Sequence, residues 1–171
     1  VSRYIPRRLI KGMPQARARA EWREVKDLSF LVVDDDNLFL GTIAGILQGM
    51  GATKVLTANS GSSALATLMS LQQPIDCVLC DLKMPSGNGL QLLQAIRCGM
   101  AKSIRADSCF IFITAAADAE LIKAAGQLDA NGYIVKPVTR EKLEGAIMRG
   151  RARGFALNVN QYRQVAIPEC A

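Results

Sequence analysis

No uninterrupted apolar run in this chain approaches the roughly 18 residues that a bilayer-spanning helix needs. The longest, such as Cys109 to Ile113, fall far short, so nothing here is expected to cross a membrane. A basic start followed by an apolar stretch and a small-residue cleavage site is also missing, which points to a cytoplasmic protein. Because the first residue is Val1 and not methionine, the natural start is expected to lie upstream. The five cysteines, Cys77, Cys80, Cys98, Cys109 and Cys170, lack the dense, even spacing of a secreted disulfide scaffold, and a reducing compartment fits them best. Cys77 and Cys80 spell C-x-x-C, but an offset of three along a strand puts the two side chains on opposite faces. They read as buried small apolar residues and not as a metal or redox pair. No internal repeat occurs, and the one biased stretch is the alternating Arg-Ala of residues 16–20.

What the chain does have is length enough, 171 residues, for one domain with a full core and too little for two. Its net charge of +6 is unevenly placed. Residues 1–27 carry eight Lys or Arg against three acids, residues 28–150 ten against eleven, and residues 151–171 three against one. Basicity therefore sits in an N-terminal extension, 1–27, and a C-terminal tail, 151–171, around a nearly neutral body, 28–150. That placement argues for docking or solvating ends and against nucleic acid as the partner.

Within the body, short β-branched runs alternate with segments whose apolar residues recur three and four apart. The predicted strands are 29–33, 53–58, 75–80, 108–113 and 132–135, and the predicted helices 37–49, 61–72, 88–98, 118–128 and 139–152. Phe39, Ile43, Ile46 and Met50 would line the first helix; Leu121, Ile122, Ala125 and Leu128 the fourth; Leu143, Ala146 and Ile147 the fifth. Near-continuous apolar strands imply burial on both faces, hence a parallel, doubly wound α/β sheet with helices on either side. Asp36 or Asn37 can cap the first helix, Gly49 and Gly51 end it, Ser60 caps the second, and Asn131-Gly132 turns into the last strand. Residues 15–26 read equally as a short helix anchored by Trp22 or as a flexible arm after Pro6 and Pro14. Beyond Gly150 an irregular tail is expected to pack back through Phe155, Leu157, Val159 and Val165.

The chemistry gathers at strand ends. Asp34 and Asp35 close one apolar run, Asp81 another and Lys136 a third. In an open α/β sheet the carboxyl ends of the strands converge on one crevice. Carboxylates crowded there would force one to take up a proton unless a cation joins them, and Mg²⁺ is the natural guest.

With Leu-Val-Val-Asp-Asp at 31–35, Asp-Leu-Lys-Met-Pro-Ser-Gly-Asn-Gly at 81–89, Ile-Thr-Ala at 113–115 and Gly-Tyr-Ile-Val-Lys-Pro at 132–137, the chain resembles the receiver domain of two-component response regulators, the CheY-like family. The resemblance covers residues 28–150. It implies a flavodoxin-like five-stranded sheet in the order 2-1-3-4-5. It further implies that Asp81 is the phosphoacceptor, receiving its phosphoryl group from a histidine kinase or a histidine phosphotransfer protein. Asp35 would hold Mg²⁺ directly, Asp34 directly or through water, and Asp81 and the backbone carbonyl of Lys83 would complete the protein's ligands. Lys136 would neutralise charge on the phosphoryl group. Thr114 would read its arrival, and Tyr133 would turn inward as the switch. The signalling surface would be the fourth helix, fifth strand and fifth helix, which meets a downstream protein and leaves a homodimer through the same face open. The Lys136-Pro137 bond would be cis. With only 21 residues after Gly150, a stand-alone receiver is expected. No enzymatic turnover is expected beyond its own phosphorylation and dephosphorylation.

Two positions depart from the family's usual chemistry: Lys83, two after the acceptor, and Ala116, two after Thr114. Their side chains stand where family members influence hydrolysis of the acyl phosphate, so slow self-dephosphorylation is expected. Met84-Pro85, Gly87 and Gly89 read as loop geometry, the glycines for backbone angles other residues avoid. Three rival readings remain. Asp34-Asp35-Asp36 after an apolar strand also resembles haloacid-dehalogenase phosphatases, with Asp34 as nucleophile and Asp36 as acid; but the acids that closely follow Lys136 are Glu141 and Glu144, inside the last helix, and no cap domain fits. Another is an interaction module that works without phosphorylation, and the third takes the basic tails as a nucleic-acid arm.

Overall fold

Three segments, Ser29–Val33, Cys77–Asp81 and Cys109–Thr114, are buried at every residue, as strands covered on both faces must be. In the computed structural model, which describes residues 24–85, 88–115 and 118–169, they are β1, β3 and β4 of a five-stranded parallel sheet. The edges are β2, Lys54–Ala58, and β5, Gly132–Val135, giving the order β2-β1-β3-β4-β5. The sheet order that the resemblance implied is the one observed. The readings at Trp22, Gly87, Ala116 and Cys170 lie outside the described residues; of the 15–26 segment only its end is described, where Val25–Asp27 forms a single 3-10 turn with Val25 buried.

The helices connecting the strands are α1 (Asn37–Gly49), α2 (Gly61–Ser70), α3 (Gly89–Arg97), α4 (Ala119–Gln127) and α5 (Arg140–Ala152). Each is started by a side chain that satisfies the orphan N–H groups of its first turn. Asp36 accepts from Leu38 and Phe39, Ser60 and Ser63 form a reciprocal capping box, and Asn88, Asp118 and Thr139 cap the other three. Gly51, with φ of 85°, turns the chain out of α1 in the left-handed region that glycine adopts without cost.

Two apolar layers sandwich the sheet. Leu31, Val33, Val78, Cys80, Phe110 and Phe112 face one; Phe30, Val32, Cys77, Leu79, Cys109 and Ile111 face the other. Cys77 and Cys80 thus lie in different layers, as the strand period requires, and burial pushes both thiols well above their ordinary range.

Past α5, the sequence-based expectation of an irregular tail is wrong in one respect. Residues Val159–Gln164 form a sixth helix, α6, capped by Asn158. Its anchor is Tyr162, fully buried, with Val165 and Ile167 beside it, while Leu157 is exposed. Six residues are too few to show a helical period, and a lone tyrosine among polar neighbours carries no apolar pattern. Burying such a side chain contributes roughly 1.5–3 kcal/mol toward ordering the segment.

Candidate functional site

Register brings the strand-end residues together. Val33 pairs with Cys80, so Asp34 and Asp81 leave β1 and β3 side by side. Asp81 pairs with Ile113, which puts Thr114 one step further out on β4; Thr114 pairs with Val135, which puts Lys136 one step beyond β5. The Lys136 N–H donates to the Thr114 carbonyl at 2.8 Å and ties the two loops together. The Lys136-Pro137 bond that follows is cis.

Carboxylate oxygens of Asp34, Asp35 and Asp81 all lie within 4.8 Å of one another, Asp34 and Asp81 buried and Asp35 exposed. The Lys136 ammonium stands 2.9 Å from Asp34 Oδ2 and 3.9 Å from Asp81 Oδ1. On its other side it sits over the Phe39 ring, 4.0 Å from the centroid. The ring shields and orients the cation. Asp81 Oδ1 also accepts the Leu82 N–H at 2.9 Å. Desolvation raises the Asp81 pKa to about 6, with Asp34 and Asp35 adding repulsion that Lys136 and the Leu82 N–H only partly offset.

The arrangement separates three acids that the sequence left equivalent. Asp34 faces Lys136 and accepts the Asp36 N–H at 2.9 Å, while Asp36 turns away and spends its carboxylate on the first turn of α1. A helix cap is thus what Asp36 is, and the general-acid role required by the phosphatase reading has no carboxylate to fill it. Thr114 is buried at the tip of β4, whereas Tyr133 is 54% exposed on β5 and stands outside the pocket. Lys83 reaches sideways to Asp118, 3.4 Å away at the cap of α4, so its ammonium bridges two pocket loops.

Two residues of the site carry no legible signal in the sequence. Phe39 looked like one more core position of α1. Gly89 looked like a turn, yet its backbone angle is ordinary; its need is space, since a Cβ there would lie 2.5 Å from the Asp81 carbonyl, 2.7 Å from Phe112 and 2.9 Å from Cys80. The start of α3 is pressed directly against the backbone of Asp81.

The fold is an open, doubly wound α/β sheet with an acidic pocket at the carboxyl tips of β1 and β3. The model of the response regulator receiver domain matches residues 30–148, and the chain belongs to that family. It is 32% identical over 120 residues to the probable chemotaxis protein CheY of Rhizobium etli, covering 70% of this chain and 89% of that protein. It is 34% identical over 128 residues to chemotaxis protein CheY-3 of Vibrio cholerae, covering 70% and 91%. Among solved structures, a response regulator receiver domain protein from Clostridium thermocellum superposes with a TM-score of 0.64 at 27% identity, covering 82% of this chain and all of that one. Vibrio cholerae CheY4 superposes at 0.63 with 25% identity, covering 71% and 97%. The chain is a response regulator of the CheY-like type, part of two-component signalling. None of its described helices is long and apolar enough to cross a membrane.

Proposed function

We propose that Asp81 is the phosphoacceptor of this response regulator and that its phosphorylation, in the presence of Mg²⁺, switches a protein-binding face. The observation that carries the reading is the shared pocket of Asp34, Asp35 and Asp81 around a single ammonium. Three carboxylates against Lys136 leave two negative charges to be balanced, the charge of one divalent ion, and every side-chain donor is a hard oxygen. Asp34, Asp35, Asp81 and the Lys83 carbonyl would hold Mg²⁺, and water would fill the remainder of the octahedron. When bound, it would screen the charge of the transferring phosphoryl group.

The rest of the chemistry belongs to side chains. These 171 residues contain no histidine, and the phosphohistidine donor would be a kinase or phosphotransfer partner. A carboxylate oxygen of Asp81 attacks phosphorus, the P–O bond forms as the donor's P–N bond breaks, and the imidazole leaves with that electron pair and takes a proton. Lys136, already at the pocket, would pair with a phosphoryl oxygen and so exchange part of its contact with Asp34 for the new charge. The Thr114 hydroxyl would donate to another phosphoryl oxygen and draw the loop after β4 with it. Tyr133, now turned to solvent, would fill the space that opens. The added charge of about −1.5 to −2 is sufficient to bias a two-state loop by such bonds. The altered surface would be α4, β5 and α5, where a downstream protein or a second copy would bind. Residues 28–150 would constitute the receiver, 1–27 and 151–171 its flanking segments, and the compartment would be cytoplasmic. No turnover of an external substrate is proposed.

The test is labelling by acetyl phosphate, followed by intact-protein mass spectrometry, with and without Mg²⁺. One metal-dependent phosphoryl group is expected on the parent chain and none on Asp81→Asn. Labelling that survives Asp81→Asn would sink the assignment.

A further inference from the structure

The segment after α5 runs antiparallel along α3 and ends beside the pocket. Phe155 stacks over the buried Arg97 guanidinium, 4.8 Å from its centroid, at the end of α3. Midway, Gln94 Nε2 donates to the carbonyls of Tyr162 at 2.7 Å and Val165 at 3.1 Å. At the start of α3, Asn88 Nδ2 donates to the Pro168 carbonyl at 3.0 Å while its Oδ1 caps the helix through Gln91 N–H. Tyr162 adds a bond from its hydroxyl to Asp129 Oδ2 at 2.8 Å, just beyond α4. Asp129, with φ of 52°, is the one non-glycine residue held in the left-handed region among the described residues. Gln94 and Arg97, three residues apart, share a face of α3, and the N-cap Asn88 adds a third anchor at the start of the helix.

The last anchor adjoins the residue that touches the acceptor. Asn88 precedes Gly89, whose missing Cβ lets α3 press on the Asp81 carbonyl, and the Gly89 N–H points at the Leu82 carbonyl 3.4 Å away. From Pro168 through Asn88 and Gly89 to Asp81 the contacts are continuous, with one helix terminus between the strap and the strand tip.

We infer that the C-terminal strap, residues 153–168, is a positioning element for the acceptor: by holding Asn88 it sets the first turn of α3 against Asp81 and keeps the backbone at 81–83 where it can bind a divalent ion. The inference rests on the proposed role of Asp81. Asn88 and Gln94 act through this backbone and touch no reacting atom.

Two full-length variants separate the strap from the helix it rests on. Gln94→Ala keeps a good helix former and removes both mid-strap bonds. Asn88→Ser keeps an equally good cap and is too short to reach Pro168. Hydrogen exchange should accelerate at residues 158–168 in both, measured well below the melting temperature. Calorimetric titration with Mg²⁺ alone should show affinity weakened by about three- to tenfold, the factor equivalent to one ordinary hydrogen bond. The acetyl phosphate labelling rate at saturating Mg²⁺ should stay within about twofold of the parent, because the metal restores the backbone once bound. Faster strap exchange with unchanged Mg²⁺ affinity overturns the inference, since a merely structural strap would give that result. Unchanged exchange overturns it too, because the anchors then do not hold the segment. Failure of the parent chain to be labelled on Asp81 is the separate outcome that removes the functional reading beneath it.

Discussion

The Lys136 ammonium stands 1.0 Å closer to Asp34 than to Asp81, 2.9 Å against 3.9 Å, although Asp81 is the proposed phosphoacceptor. This unphosphorylated pocket therefore compensates the more deeply buried carboxylate first and leaves Asp81 partly unbalanced. A carboxylate held in that way stands to gain from a cation, which relieves repulsion already present.

Mg²⁺ affinity should follow the ionisation of Asp81. The carboxyl group titrates near 6 and only its ionised form is a ligand, so protons compete with the metal below that pH. Apparent affinity should be flat from pH 7 to 8 and fall by about tenfold at pH 5, a factor of ten per unit once below the pKa. With no histidine in the chain, no imidazole titrates in the same window. Calorimetric titrations at pH 5, 6 and 8 check this, and constant affinity would exclude Asp81 from the ligand set.

The same displacement has a stability sign. A carboxyl whose pKa is higher folded than unfolded binds its proton more tightly in the folded state, so the ionised form costs stability above about 6. Asp81→Asn should therefore stabilise the metal-free protein at pH 7, by on the order of 1–3 kcal/mol. The gain should shrink as pH falls through 6 and vanish below the unfolded value of 3.8, where both states become protonated. Urea melts of both proteins at pH 7, 5 and 4 would show it. A destabilised Asp81→Asn at pH 7 would mean that Lys136 already balances the charge.

Strand-end acids and helix periods made the sheet and the pocket legible in the sequence, because both depend on local pattern and on a topology with few alternatives. β1, α1 and β5 fall where the pattern put them, and the ends of the other elements coincide or shift by one or two residues. What escaped were effects that exist only after folding. Nothing in Phe39 announces that its ring will carry Lys136, and Gly89 is required by a carbonyl eight residues earlier. A tail packing back was expected, but its path along α3 was not, because its hold comes from Asn88 and Gln94 donating to backbone carbonyls and from Arg97 against the Phe155 ring, and hydropathy is blind to these polar side chains.

Arg97 gives that blindness a measurable size. It is fully buried and donates five bonds, to the carbonyls of Leu128, Ala106, Ser108 and Asp129 and to Asn131 Oδ1. Burial lowers its pKa to about 10, so it remains charged at neutral pH. Lysine keeps the charge but offers three donors on one atom, which orphans at least two acceptors at roughly 1–3 kcal/mol each. Arg97→Lys should therefore cost about 2–4 kcal/mol in urea denaturation. A loss under about 0.5 kcal/mol would show that water replaces the missing donors.

The phosphorylated protein should be long-lived. Hydrolysis needs a water aligned on phosphorus opposite the Asp81 oxygen, and Ala116 has no polar side-chain atom with which to hold one. Lys83 is engaged with Asp118 at 3.4 Å across the pocket mouth, where its charge would favour the phosphoryl group already in place over the transition state for losing it. Decay of the acyl phosphate in Mg²⁺, after the donor is removed, should take many minutes to hours. Ala116→Asn supplies a side chain able to orient water and should shorten that lifetime by about tenfold, the low end of what one positioned polar group contributes. Lys83→Asn should act in the same direction. A parent lifetime of seconds would mean that water reaches phosphorus without help from either position, and that the barrier is set instead by the residues Asp81, Thr114 and Lys136 themselves.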